Sequence, residues 1–292
     1  MKRSGLHSKR PALRAFVTCI VALALSVPGT PGSGQIAPGA HLGDLTWPEA
    51  EARLMNAPLV VVPIGAGAKE HGPHLPMATD RLMLEHLMQA AVDSLPVLVA
   101  PPILHGWFVA FEDFPGTGIA DPDVFRRYVQ EVAHSLVQAG ARRVVFLNTG
   151  ITHSTGLPIA IAAREIHAHD HVPTLVVSWD DLETPELDSM ATQNAGGHAD
   201  ELETSVVLAL RPDLVHMERA PTDYGKPTGD PGPGYRPGGF SRSPGDPEYT
   251  TTGIFGDATL ATAAKGRRVV AVMTHQWLEA LRAFATTPLG EG

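Results

Sequence analysis

Residues 59–80 read LVVVPIGAGAKEHGPHLPMATD. The first six residues form an uninterrupted apolar run, which is typical of a strand buried on both faces of a parallel sheet. A polar loop follows the end of this strand, and α/β sheets place their sites in loops at the carboxyl ends of strands. The stretch therefore predicts an α/β fold and locates its functional loop.

The loop carries side chains that bind divalent metals. His71, His74 and Asp80 lie close together in sequence, and imidazole and carboxylate are ligands for zinc, manganese and iron. Gly72 and Pro73 restrict the shape of the loop, so that its ligands need little ordering when they bind. Two isolated loop histidines would more simply be surface residues, but Asp80 and further candidates downstream favour a metal-dependent enzyme.

Helical and apolar stretches alternate along the chain. This alternation predicts a mostly parallel sheet covered by helices on both faces. The predicted strands are Leu59–Ile64, 97–100, 143–147 and Thr174–Ser178, and the predicted helices are Thr79–Ser94, 122–139, 157–169, one from about residue 199 and one over 260–285. The last helix is expected to break near Gly266, and the Gly- and Pro-rich segment 220–256 is predicted to be a long loop.

The N-terminus resembles a secretory signal. Basic residues precede an apolar run at 15–27, and small residues follow it, so we assign residues 1–34 to a signal peptide and expect a periplasmic or secreted protein. An uncleaved membrane anchor is the alternative. Cys19 is the only cysteine, so the mature domain at 43–292 would have no disulfide and no thiolate. Removal of the signal takes away five positive charges and changes the formal net charge from −9 to −14. Nucleic acid and, after signal removal, membranes are therefore not expected as partners.

A second polar segment, GGHADELETS at residues 196–205, contributes one histidine and three carboxylates at a predicted helix start. Asp200 and Glu201 are explained by the preference of acidic residues for the first turn of a helix. His198 and Glu203 are predicted to belong to the catalytic site, with Glu203 as a proton shuttle or extra ligand and His198 as an orienting or oxyanion-stabilising group. The competing interpretation is that Glu203 only braces the start of the helix.

A third candidate segment, NTGITHSTG, occupies residues 148–156 after the predicted strand at 143–147. Its last five residues approximate the G-x-S-x-G motif of serine hydrolases. However, Ser154 comes several residues too late after the strand, and the adjacent His153 is poorly placed to act as its base. A serine hydrolase is therefore a weaker hypothesis than a metal enzyme.

Taken together, these segments resemble the creatininase, or creatinine amidohydrolase, family over most of residues 43–285. Its E-Q-H-G-P-H-L-P motif is similar to residues 69–76, and its G-H-A-G-x-x-E-T-S motif is similar to residues 197–205. Its F-P-G-T motif is present at residues 114–117, and its late glycine–aspartate segment resembles residues 253–262.

The chain departs from the family pattern at three places. The family has glutamate at the position of Lys69, so we predict that Glu70 takes over as a metal ligand and that Lys69 points away from the ion. The family's N-G-H-G-G-N is replaced by residues 148–153, so the family's ligand histidine is either His153, displaced along the loop, or absent. The family's E-H before F-P-G-T is Ala110-Phe111 here.

The resemblance implies a three-layer αβα sandwich with a mostly parallel central sheet and one or two zinc, manganese or iron ions. The implied metal ligands are Glu70, His71, Asp80 and His153. It also implies hydrolysis of a non-peptide C–N bond in a small-molecule amide, and a homo-oligomer, often a hexamer. Hydrolysis of a formamide or short peptide, and a non-catalytic binding protein, are the alternatives.

Overall fold

The computed structural model describes residues 39–56, 59–108, 111, 114–118, 121–150, 152–225 and 250–289, and of residues 152–154 it describes the backbone alone. All these ranges belong to one unit, Ala37–Gly292. The predicted signal peptide and most of the predicted loop at 220–256 lie outside the described residues.

The core of the fold is a parallel sheet with strand order β1-β3-β2-β4-β5. The strands are β1 (Ala40–His41), β2 (Leu59–Ile64), β3 (Leu98–Val99), β4 (Arg143–Asn148) and β5 (Thr174–Ser178). The central strand β2 is buried along its whole length, as its uninterrupted apolar sequence predicts. Two short strands, β6 (Thr222–Asp223) and β7 (Gly256–Asp257), form a separate antiparallel pair. The prediction of a mostly parallel sheet is confirmed.

Helices cover both faces of this sheet. They are α1 (Trp47–Asn56), α2 (Thr79–Ser94), α3 (Pro122–Gln138), α4 (Thr152–Asp170), α5 (Pro185–Asp188), α6 (Glu201–Leu210) and α7 (Ala263–Ala285). Within the described ranges, none of these helices is both long enough and apolar enough to cross a bilayer.

Alternate residues of β2 enter two separate hydrophobic cores, because successive side chains of a strand point to opposite faces. Val61 joins the core under α2, α6 and α7, where Trp277 is fully buried. Val60 and Val62 join the core under α3 and α4. The three-layer αβα architecture is confirmed.

The expectation of a break in α7 near Gly266 was wrong, because the helix continues from Ala263 to Ala285. Gly266 instead lies where α7 crosses α6. A Cβ atom built on Gly266 would collide with the backbone carbonyl of Ser205. The missing side chain therefore lets the two helices pack closely.

Candidate metal centre

The loop between β2 and α2 is folded back on itself. The Lys69 N–H donates to the Met77 carbonyl at 2.9 Å, and Gly72 adopts a φ of 70°, which a glycine tolerates best. Asp80 lies in the first turn of α2, so the loop returns this carboxylate to the level of His71. His71 and Asp80, which the sequence predicted to work together, are thereby brought into contact.

His71 is buried, and a hydrogen bond to the backbone fixes the orientation of its ring. Its Nδ1 lies 3.0 Å from the Lys69 carbonyl oxygen, which can only accept, so Nδ1 carries a hydrogen and donates it. Its Nε2 faces two carboxylate oxygens, Asp80 Oδ1 at 2.9 Å and Glu203 Oε1 at 3.5 Å. A neutral ring would turn its Nε2 lone pair towards two anions, so this position calls for a cation, either a proton or a metal ion.

His198 is held in the same manner by the other side of the loop. Its Nε2 lies 3.0 Å from both the backbone oxygen and Oε2 of Glu70, so Nε2 carries a hydrogen and donates it. Its Nδ1 is 3.8 Å from Glu203 Oε2. The ring packs against Phe111, with a centroid distance of 4.4 Å, and against His71 at 4.9 Å. Both imidazoles therefore present one nitrogen to the same carboxylate.

The donor atoms of His71, His198 and Glu203 all lie within 4.8 Å of one another. Asp80 adds a fourth donor, an oxygen, next to His71. An imidazole binds a metal ion in its neutral form, and here each ring would keep its hydrogen on the nitrogen that already donates to an oxygen of residue 69 or 70. Two such imidazoles, combined with carboxylates, form a donor set that suits zinc, manganese or iron. The residues therefore fit a divalent ion.

The electrostatics of the cluster keep its carboxylates ionised. Burial would raise the pKa of Glu203, but His71, His198 and Lys69 together lower it to about 2. Burial would likewise raise the pKa of Asp80, but Lys69 and His71 hold it below its ordinary value. Burial would lower the pKa of His71, but the Asp80 and Glu203 carboxylates together raise it to about 9. Both carboxylates are therefore available to a cation at neutral pH.

Glu203 has contacts that fit both interpretations made from the sequence. Its Oε2 accepts a hydrogen bond from the Ala199 N–H at 2.5 Å, which braces the start of α6. Asp200 is the N-cap of that helix and accepts from the N–H groups of Leu202 and Glu203. The same Glu203 carboxylate nevertheless faces both imidazoles, so its bracing role and its place in the donor group coexist.

The expectation that Lys69 points away from the site was wrong. Its Nζ lies 2.9 Å from Asp80 Oδ2, and the residue is only 3% exposed. The ammonium also lies 5.3 Å from the centroid of the Phe111 ring. The buried Asp80 carboxylate stabilises this cation. The direction of the Lys69 side chain is therefore decided by its ion pair with Asp80, and not by repulsion from a metal ion.

Glu70 lies beside the donor group, with its carboxylate directed at His198. One oxygen accepts from the Gly72 N–H and the other lies 3.0 Å from His198 Nε2. The role of Glu70 as a direct ligand stays a prediction, and the observed contacts are those of a residue that orients a ligand.

Three other sequence candidates lie differently. The side chain of His153 is outside the described residues, and its backbone lies in the first turn of α4. Ser154 also lies in that turn, and β4 ends at Asn148, so the backbone does not form a strand-to-helix elbow at the serine. His74 does not join the donor group. Its Nε2 contacts Thr204 Oγ1 at 2.8 Å, and this contact attaches the loop to α6.

A cavity of about 460 Å³ opens onto the cluster. Lys69, Asp80, His198 and Glu203 line it, together with residues such as Trp179 and Glu183. Burial and the neighbouring Asp180 raise the pKa of Glu183 to about 7. The sequence reasoning missed Trp179 and Glu183, because no motif marks the segment after β5. Phe111 was noticed only as a departure from the family pattern.

Comparison with known proteins agrees with this geometry. The family model "Creatininase: Creatinine amidohydrolase" matches residues 43–281. A mycofactocin precursor peptide peptidase of Mycolicibacterium smegmatis is 29% identical over 75% of this chain and 82% of its own length. Creatinine amidohydrolase of Pseudomonas putida is 28% identical over 82% of this chain and 95% of its own length.

Solved creatininase structures share the fold. One described as "Creatininase Mn" has a TM-score of 0.69 and 27% identity, and covers 84% of this chain and 98% of its own. A creatininase mutant described as "Zn-Zn type" also has a TM-score of 0.69 and 27% identity, over 85% of this chain and 98% of its own. The fold, the ordered motifs and the family match lead to one conclusion: this chain belongs to the creatininase family.

Proposed function

We propose that this protein is a metal-dependent hydrolase of an amide bond, with its ion held by His71, His198 and Glu203 and with Asp80 as a further ligand. The observation that supports this most strongly is the arrangement of the two imidazoles. Each ring is fixed through the nitrogen that points away from the site, Nδ1 of His71 and Nε2 of His198. Each turns its other nitrogen to the same ionised carboxylate, that of Glu203. Metal-binding histidines are characteristically oriented in this way, through a hydrogen bond from the ring nitrogen that does not bind the metal.

A divalent ion, when bound, would lower the pKa of a water molecule and polarise the carbonyl group of an amide. The chain itself supplies orientation and charge. Glu203 is the most exposed member of the donor group, with 16% of its side chain accessible, and it lines the cavity. Glu183, whose pKa of about 7 suits proton transfer near neutrality, lines the same cavity and is a proposed carrier of the proton to the leaving nitrogen.

The substrate is proposed to be a small molecule with an amide or peptide-like bond. The cavity volume of about 460 Å³ is within the range of small-molecule sites. One relative is named as a creatinine amidohydrolase and another as a peptide peptidase, so both small cyclic amides and short peptides belong in the substrate panel. Export, supported by the basic and apolar pattern at residues 1–34, and a homo-oligomeric assembly are further parts of the proposal.

The test combines metal analysis with turnover. Purified full-length protein is stripped with a chelator, reloaded with zinc or manganese, and assayed against cyclic amides, formamides and short peptides. We expect His71→Ala and Glu203→Gln to lose at least about 10-fold in metal affinity and most turnover. His86→Ala is the matched control, because this half-buried histidine contacts Thr274 at 3.0 Å, outside the donor group, and should change neither quantity.

Two outcomes would contradict the proposal. A folded protein that holds fewer than about 0.2 ions per chain after reloading would favour a binding protein without catalytic metal. Full metal retention in His71→Ala and Asp80→Ala would show that the ion, if present, lies elsewhere.

A further inference from the structure

Lys69 is a buried cation next to the proposed metal site. Buried lysines are rare and are found paired with an anion. Here the ammonium lies 2.9 Å from Asp80 Oδ2, while the other oxygen of the same carboxylate, Oδ1, lies 2.9 Å from His71 Nε2. Asp80 therefore has two distinct sides, one turned towards the donor group and one occupied by Lys69.

A carboxylate whose two oxygens face different cations is the arrangement expected between two neighbouring metal ions, in which each ion takes one oxygen. In this chain the second cation is already part of the protein. The Lys69 backbone is held on both sides, because its N–H donates to Met77 and its carbonyl accepts from His71, and the ammonium is held by Asp80. It also lies over the Phe111 ring.

We propose that the Lys69 ammonium takes the place of a second metal ion beside Asp80, so that each chain binds a single divalent ion, on the His71 side. This inference rests on the proposed function, because it presumes that His71 and its neighbours bind metal. A second divalent ion next to Asp80 Oδ2 would lie in contact with the ammonium, and the repulsion between the two charges excludes it.

The same geometry predicts what restores the second ion. Lys69→Glu removes the cation and puts a carboxylate next to Asp80, which turns a repelling position into one with two oxygen ligands. Lys69→Arg keeps a positive charge there and should keep the second ion out. Arg81→Glu makes the same change of charge as Lys69→Glu, in the residue that follows Asp80. The Arg81 side chain is 41% exposed, so this variant controls for a general increase in negative charge.

A surface cluster has to be removed before ions are counted. His134 Nδ1 and His169 Nδ1 lie 3.0 and 3.1 Å from the two oxygens of Asp170, and these three side chains could hold an ion of their own. All proteins in the experiment therefore carry His169→Ala.

The experiment measures the number of bound ions by elemental analysis of the full chain after chelation, reloading with Mn²⁺ and desalting. Electron paramagnetic resonance of the same samples distinguishes isolated from coupled Mn²⁺. We expect one isolated ion in the parent protein, in Lys69→Arg and in Arg81→Glu, and two magnetically coupled ions in Lys69→Glu.

Each alternative result has a separate meaning. Two ions in the parent, or a folded Lys69→Glu that still binds one, would overturn the role of Lys69 while the proposed function stands. A parent that binds none would overturn the proposed function and this inference with it. If Lys69→Glu does not fold, as judged by circular dichroism, the counts and spectra of the parent and Lys69→Arg still decide, because a coupled pair in either one excludes the proposal.

Discussion

Gly253→Ala is expected to disturb the metal centre through Glu70, a residue that it touches in the fold. Gly253 has a φ of 82°, and a Cβ atom built on it would overlap the Glu70 carboxylate, with Oε2 at 2.9 Å and the other two carboxyl atoms still closer. Glu70 is 7% exposed, so it has little room to move aside. The substitution must therefore displace the group that holds His198.

The expected loss of stability has two parts. The positive φ alone costs an L-residue about 1–2 kcal/mol. Displacement of Glu70 weakens its hydrogen bonds with Gly72 and His198, and bonds to charged groups contribute about 1.5–3 kcal/mol each. We therefore expect Gly253→Ala to lower the free energy of unfolding by about 4–6 kcal/mol and to weaken metal affinity by about 10- to 100-fold, the usual effect of losing a partner that orients a ligand.

Gly116→Ala is the matched control. Its φ of 88° imposes similar strain, but its Cβ would meet only the flexible end of Met77, at 3.4 Å. Urea unfolding and chelator competition on both variants should show a loss of about 1–2 kcal/mol without a change in metal affinity for Gly116→Ala. Equal losses in the two variants, or normal metal affinity in Gly253→Ala, would refute the role assigned to Glu70.

Three further predictions concern stability, all measured by urea unfolding. Burial lowers the pKa of His74 to about 4 from 6.5, so the unfolded chain binds a proton that the folded one refuses. Relative to a His74→Gln variant, the parent protein should therefore lose about 2 kcal/mol of stability between pH 7.5 and 5, and an equal pH dependence in the two proteins would contradict this. Gly266→Ala should lower the free energy of unfolding by about 3 kcal/mol or more, because its Cβ clashes where α7 crosses α6. Gly156→Ala, with open space around its Cβ, is the control and should be neutral or stabilising. Similar values for the two variants would count against a close helix crossing at Gly266. Glu201→Gln weakens the hydrogen bonds of a fully buried carboxylate and breaks its pair with the partly buried Lys265, so it should cost about 1.5–3 kcal/mol. Glu279→Gln, in an exposed pair, should change stability by less than about 1 kcal/mol. A neutral Glu201→Gln would show that the buried carboxylate contributes nothing through its charge.

Much of the fold could be predicted from local patterns in the sequence. The bounds of β2, β5 and α2 were predicted correctly, because the two strands are short, mostly apolar runs and all three stretches have distinct ends. The start of α3 was predicted because Asp121 caps it and Pro122 favours its first turn. The break near Gly266 was wrongly predicted, because a glycine that permits a close helix crossing cannot be distinguished in sequence from one that ends a helix.

The site was predictable in its composition and less so in its geometry. His71, Asp80, His198 and Glu203 were all proposed from two motifs, and the fold brings them together. The direction of Lys69 could not be inferred, because it depends on a buried ion pair with a residue that the loop returns to the same place. The packing of Phe111 on His198 is likewise a long-range contact that no local pattern indicates.

The metal centre is assembled from two chain segments that are far apart in sequence, with His71 and Asp80 on one and His198 and Glu203 on the other. A growing polypeptide therefore presents the first pair long before the second has been synthesised. Until α6 docks through the crossing at Gly266, the chain holds only part of the donor set, and a weakly held ion would exchange freely. The proposed ion would therefore be selected where folding is completed, from the metals available there.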